Sequence, residues 1–81
     1  MKKIKVEWCE NFIRAAFKRL QPFAYGIETN LFWNMAEASG LWERGTYDTP
    51  MSEALRNLVE VEFVHDDDGK YLYSAFRMKE A

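Results

Sequence analysis

TPMSEALRNLV at residues 49–59 predicts a short helix that leads directly into a hairpin. Thr49-Pro50 is a favourable helix start, since threonine caps the free N–H groups and proline fits the first turn. Strand-like runs follow at residues 61–65 and 71–78, with Asp68-Gly69 as the turn between them. A helix followed by a closing hairpin predicts an α+β domain.

The expected hairpin register follows from its turn. If Asp68-Gly69 is a two-residue type I′ loop, each residue of the first strand has one defined partner in the second. Opposite charges and apolar side chains then face each other, as cross-strand pairing prefers. The expected pairs are Val61 with Phe76, Phe63 with Ser74, His65 with Leu72, Glu60 with Arg77, Glu62 with Ala75, Val64 with Tyr73 and, beside the turn, Asp67 with Lys70.

Apolar residues at every third or fourth position predict two further helices, N-terminal to the helix at residues 49–59. They cover about residues 7–20 and 30–39. A residue of Thr29-Asn30 is expected to cap the second, and Gly40 to end it in a left-handed conformation. The apolar segment 23–27 is expected to be a packed loop or a short strand. The predicted architecture is three helices followed by a two-stranded antiparallel hairpin.

Length and composition predict one domain that spans residues 1–81. Of the 81 residues, 48% are hydrophobic and 16% aromatic, enough for a core without cross-links. A single cysteine excludes an internal disulfide, and the chain has no Cys/His set for zinc. No apolar run is long enough to span a bilayer, so we expect a soluble, cytoplasmic protein.

The sequence predicts a binding protein rather than an enzyme. It contains no recognisable Ser/His/Asp set, phosphate-binding loop or metal-ligand set, and we expect no cofactor. His65 lies in a predicted strand without a nucleophile near it in sequence. The acidic run 66–68 lacks the spacing of a calcium loop and is expected to be a solvated turn.

Residues 28–78 resemble the winged helix-turn-helix superfamily. The resemblance rests on Ala36 and Gly40 at the spacing of a helix-turn-helix, on the Thr-started helix at 49–58, and on a wing-like turn at 68–73. It implies a three-helix domain closed by a hairpin, with the third helix in the DNA major groove. The tip of the family wing more usually carries Arg or Lys, whereas here it carries Asp66, Asp67 and Asp68.

One interpretation is a DNA-binding transcriptional regulator of bacterial or phage type. The resemblance places the third helix against duplex DNA, where Arg and Asn side chains recognise guanine and adenine. A reader this small is expected to form a homodimer. The candidate DNA contacts are Ser52, Arg56 and Asn57, with Lys70, Lys2, Lys3 and Lys5 at phosphates.

The alternative is a phage-type inhibitor that binds a basic host protein, as an anti-CRISPR protein does. The net charge of −2 favours this class, because DNA binders usually carry a basic surplus. Carboxylates are suited to docking on a basic nucleic-acid-binding groove. The candidate contacts are Asp66, Asp67 and Asp68 with Trp42, Arg44 and Tyr47. Whether Trp42 and Tyr47 belong to the core or to an interface stays open at this point.

Overall fold

The computed structural model describes residues 3–20 and 26–79, which form three helices and three strands. In chain order these are α1 (Val6–Leu20), β1 (Ile27–Glu28), α2 (Thr29–Ser39), α3 (Pro50–Leu58), β2 (Val59–His65) and β3 (Tyr71–Met78). The strands form one antiparallel sheet in the order β1-β3-β2. The α+β class and the three predicted helices are therefore confirmed.

The sheet has three strands, so the prediction of a two-stranded hairpin was wrong. Ile27 pairs with Phe76 and Glu28 with Ala75, which places β1 on the side of β3 that β2 leaves free. A strand of two residues is too short to show an alternating pattern in the sequence. The short strand considered for segment 23–27 is confirmed at Ile27, whereas residues 23–25 lie outside the described part of the chain.

The helix ends show which local interactions the sequence specifies. Thr49 caps α3 as expected, accepting a hydrogen bond from the Ser52 N–H at 3.3 Å. Gly40 ends α2 with φ of 81°, also as expected. The expected cap of α2 was wrong, because the Glu28 carboxylate, rather than Thr29 or Asn30, accepts from the Leu31 N–H at 2.9 Å. The Thr29 and Ser74 hydroxyls instead bond to each other across 2.8 Å.

The hairpin register is confirmed for the five predicted pairs from Glu60–Arg77 to Val64–Tyr73, and Val59–Met78 extends it by one pair, but the register changes near the tip. His65 pairs with Tyr71 rather than with Leu72, so Leu72 is an extra residue that forms a bulge in β3. The predicted partner of His65 was therefore wrong.

The tip is a three-residue loop, not the predicted two-residue turn. The Asp66 N–H donates to the Lys70 carbonyl at 2.9 Å, and Gly69 closes the loop with φ of 82°. The Asp66 carboxylate accepts from the N–H groups of Asp68 at 2.9 Å and Lys70 at 2.8 Å. These bonds stabilise the longer loop, and they make Asp66 rather than Asp67 the partner of Lys70.

The core lies between the helices and the end of the sheet nearest to them. Its centre is Phe32, fully buried, whose ring packs edge-to-face on Phe76 with centroids 5.2 Å apart. α1 and α3 pack against each other and contribute four more fully buried side chains, which are Cys9, Ile13, Met51 and Ala54. Cys9 is a core side chain, and its burial raises the pKa of the thiol. Among the described residues, none of the helices has the length and apolar character needed to traverse a lipid bilayer.

Replacement of Gly26 by alanine tests the pairing of β1 with β3. A Cβ at this position would lie 2.8 Å from the Phe76 carbonyl oxygen, a backbone atom that cannot move without disturbing the sheet. We expect Gly26→Ala to lower the free energy of unfolding in urea by about 1–3 kcal/mol. Ala15→Ser, on the exposed face of α1, is the control and should change it by less than about 0.5 kcal/mol. Equal stabilities of the two variants would contradict the pairing.

Candidate functional site

The helices cover the base of the hairpin and leave its outer half exposed. Near the helices, Val59 and Phe76 are only 6% and 7% exposed, whereas Phe63 is 62% exposed further out. The structure is elongated, measuring 48 × 27 × 20 Å along its principal axes. The outer half carries six exposed residues, called the hairpin surface below: Val61, Phe63, His65, Tyr71, Leu72 and Tyr73.

The bulge at Leu72 determines which side chains of the hairpin surface lie together. Because His65 pairs with Tyr71, the Tyr71 ring shares a face with His65 and with Phe63. Ring centroids of Phe63 and Tyr71 are 6.3 Å apart, and those of His65 and Tyr71 are 6.0 Å apart. Without the bulge, Leu72 would occupy this place. The result is an exposed aromatic cluster, and contiguous exposed apolar surface is typical of binding sites.

The acidic tip borders this cluster. Asp67 and Asp68 are exposed, whereas Asp66 is half-buried and its carboxylate is engaged by the N–H groups of the loop. Of the three predicted contact carboxylates, two are therefore directed to solvent and one is structural. Lys70 is exposed beside them. The tip carries net negative charge, which attracts basic surfaces and repels phosphate over about 8 Å at physiological salt.

The candidate DNA contacts of α3 do not share one face. Ser52 is half-buried and lines a cleft with Trp33 and Val61 on the sheet side of α3. Arg56 lines the same cleft and lies 3.7 Å from the Asp48 carboxylate. Asn57 is on the other side of the helix, where its amide donates to Glu10 of α1 at 3.1 Å. The structure therefore brings Ser52 and Arg56 together and separates Asn57 from them.

Three arginines already have carboxylate partners. Arg44 contacts Glu37 at 3.0 Å, Arg77 contacts Glu62 at 3.2 Å, and Arg56 has its longer contact to Asp48. These exposed pairs contribute little to stability, about 0–1 kcal/mol each. They nevertheless cancel the positive charge that a phosphate backbone would require. Arg44 is further held by the Asn34 side chain at 2.8 Å, which fixes its guanidinium beside α2.

The loop between α2 and α3 separates the roles of Trp42 and Tyr47. Trp42 is half-buried and lies on Trp33, with ring centroids 4.6 Å apart, whereas Tyr47 is 88% exposed. Both line an open cleft of about 700 Å³ together with Arg44. The Trp42 indole N–H is buried without an acceptor among the described residues. Trp42 therefore belongs to the packed body, and Tyr47 is a surface side chain.

The lysines that were expected to touch phosphates lie on different elements. Lys3 and Lys5 precede α1 and are exposed, with the Lys5 ammonium 5.7 Å from the centroid of the Trp8 ring. Ile4 between them lines a cleft with Thr49 and Pro50, so both lysines are near the first turn of α3. Lys70 is at the hairpin tip, and Lys2 lies outside the described residues.

Sequence reasoning missed the aromatic cluster of Phe63 and Tyr71. Both were assigned to the hairpin, but their exposure depends on where the helices stop covering it. The available signal was length, because β2 and β3 have 7 and 8 residues and α3, which leads into β2, has 9. A strand rises about 3.3 Å per residue and a helix only about 1.5 Å, so the hairpin extends further.

Comparison of the chain with protein-family models, with curated proteins and with solved structures finds no match. Within the described residues there is also no group of three His, Cys, Asp or Glu side chains arranged to hold a metal ion. The surface chemistry of the hairpin and of α3 is therefore what indicates the function.

Substitution of Trp42 and Tyr47 tests the division between body and surface. Trp42→Ala removes the ring packed on Trp33, and we expect it to lower the free energy of unfolding by about 2–4 kcal/mol. Tyr47→Ala removes an 88% exposed ring and should cost less than about 0.5 kcal/mol. Urea unfolding followed by circular dichroism measures both. Equal costs would show that the two rings have the same role.

Proposed function

We propose that this chain is a non-catalytic protein-binding domain whose hairpin docks on a basic, nucleic-acid-handling protein. The observation that carries the proposal is the exposed Phe63–Tyr71 cluster next to the two solvent-directed carboxylates of Asp67 and Asp68. Aromatic anchors supply affinity in protein interfaces, and the adjacent charges select and orient the partner.

The free energy that burial of these side chains would contribute favours a protein partner for this surface. Burial of a Phe or Tyr side chain contributes about 1.5–3 kcal/mol, and several such residues project from one hairpin. Phosphate offers nothing apolar to cover these rings and is repelled by the aspartates. A basic protein groove supplies both apolar walls and cationic side chains, which match the hairpin surface and the tip.

A specific role follows from the charges at the tip. A groove that binds nucleic acid is built to receive phosphates, and the carboxylates of Asp67 and Asp68 present similar negative charge at the tip of a small hairpin. Occupation of that groove would exclude the nucleic acid itself. We propose an inhibitor of phage type on this basis, comparable in role to anti-CRISPR proteins.

A DNA-binding regulator is the second candidate. The three helices and the β2–β3 hairpin after them support it, because the winged-helix resemblance implies both, whereas strand β1 was not part of that expectation. Ser52 and Arg56 share a cleft, and Lys3 and Lys5 lie near the first turn of α3. The paired arginines and the net charge of −2 weigh against this candidate.

Photocrosslinking distinguishes the two candidates. A photoreactive phenylalanine analogue is placed at Phe63, and at Arg14 on the exposed face of α1 as the control. In bacterial extracts we expect crosslinks to a discrete protein from position 63 only. An excess of duplex DNA should suppress them, because the partner's groove is then occupied.

The contradicting result is DNA binding by the isolated domain. Anisotropy of a labelled random duplex across salt concentrations would then show affinity at low salt that falls linearly on a log–log scale. That slope, together with no crosslink specific to position 63, would establish the regulator and overturn the inhibitor.

A further inference from the structure

One side of β2 has no neighbouring strand. The sheet order β1-β3-β2 puts β2 at an edge, and no strand of the described residues pairs with its outer side. Proteins usually protect such edges with charged side chains, above all lysine, with proline, with bulges or by keeping the strand very short. β2 has seven residues without Pro or Lys, and the bulge of this hairpin is in β3. The edge is therefore regular and long enough to receive another strand.

The hydrogen bonds at the two ends of the hairpin show which backbone groups face outward. The Lys79 N–H donates to the Leu58 carbonyl at one end, and the Asp66 N–H donates to the Lys70 carbonyl at the other. In an antiparallel ladder, every second residue bonds to the partner strand. Even-numbered residues of β2 therefore bond to β3, and the N–H and C=O groups of Val61 and Phe63 are directed to the open side.

The side chains along this edge alternate in chemistry. Val61 and Phe63 are 48% and 62% exposed on the face that carries the aromatic cluster. Glu60 and Glu62 are exposed on the opposite face, where one arginine, Arg77, contacts Glu62. A strand added here meets apolar side chains on one face and net negative charge on the other.

The glutamates of this edge oppose pairing with a second copy of the chain in two registers. A twofold axis perpendicular to the sheet would pair two β2 strands antiparallel with the same faces aligned. Centred on Val61, that pairing places Glu60 of one copy opposite Glu62 of the other. Centred on Glu62, it places the two Glu62 side chains opposite each other. Like charges directly opposite are destabilising, so the glutamates disfavour self-association in these two registers.

We propose that β2 is a strand-addition site for an extended segment of the partner protein in which basic and apolar residues alternate. Main-chain bonds to Val61 and Phe63 supply affinity, and the glutamates select the basic residues. The inference rests on the proposed function, since it describes how the partner is held.

A pair of peptides tests the site. The probe alternates lysine and valine, and the control alternates glutamate and valine. We expect the lysine peptide to bind and the glutamate peptide not to bind in isothermal titration calorimetry. We also expect nuclear Overhauser effects between the Hα protons of the bound lysine peptide and the protons of Val61 and Phe63.

Two sets of variants separate main-chain from side-chain contributions. Phe63→Ala removes the ring, whereas Phe63→Pro removes the ring and the outward N–H group. Proline is tolerated where an edge N–H faces solvent, and thermal melts verify that both variants fold. We expect Phe63→Pro to bind about three- to tenfold more weakly than Phe63→Ala, the range that one hydrogen bond supports.

Glu60→Lys combined with Glu62→Lys should transfer binding to the glutamate peptide.

The outcomes distinguish the inference from the function on which it rests. If the lysine peptide binds equally to Phe63→Pro and Phe63→Ala but is lost when Asp67 and Asp68 are changed to Asn, strand addition is wrong and tip docking remains. If light scattering shows a dimer that the two Glu→Lys changes dissociate, the edge holds a second copy and the inference is overturned. If the lysine peptide does not bind and the Phe63 crosslink is absent, both proposals are wrong.

Discussion

The contact between Phe32 and Phe76 is the interaction on which the rest of this structure depends. Phe32 is fully buried in α2, and Phe76 is in the central strand, so their edge-to-face contact joins the helices to the sheet. The ring of Phe12, from α1, also packs on Phe32, with ring centroids 5.9 Å apart. Loss of the Phe32 ring would remove the contacts that join α1, α2 and β3, and would lower the free energy of unfolding by about 3–5 kcal/mol.

The position of that contact also explains the exposed surface. Phe76 lies near the base of the hairpin, and a hydroxyl contact between Thr29 and Ser74 also links α2 to β3. Beyond Ser74, backbone pairing and the Asp66 hydrogen bonds maintain the hairpin without cover from the helices. The aromatic side chains there are exposed, so they contribute little to the stability of the free protein and are available for binding. The same geometry leaves one edge of β2 open.

Local interactions were predictable from the sequence, and long-range ones were not. The Thr49 cap, the left-handed Gly40 and most of the hairpin register depend on residues close in sequence, and they are confirmed. Pairing of Ile27 with Phe76 joins residues far apart in the chain, so the sequence predicted β1 only as an alternative to a loop and gave no partner strand for it. The bulge at Leu72 arises because the Asp66 carboxylate stabilises a three-residue loop. The rule that predicts a two-residue turn at Asp68-Gly69 does not take this side-chain bonding into account.

The candidate site was predictable only in its chemistry. The acidic run and Tyr47 were predicted as contacts from their residue types, but the ion pairs of Arg44, Arg56 and Arg77 require partners brought together by folding.

Amide hydrogen exchange of the free protein tests the open edge most directly. We predict slow exchange for Glu60 and Glu62, whose N–H groups bond to β3, and fast exchange for Val61 and Phe63 between them. Equal protection of all four amides would show that the edge is covered, and equally fast exchange would show that the hairpin does not form.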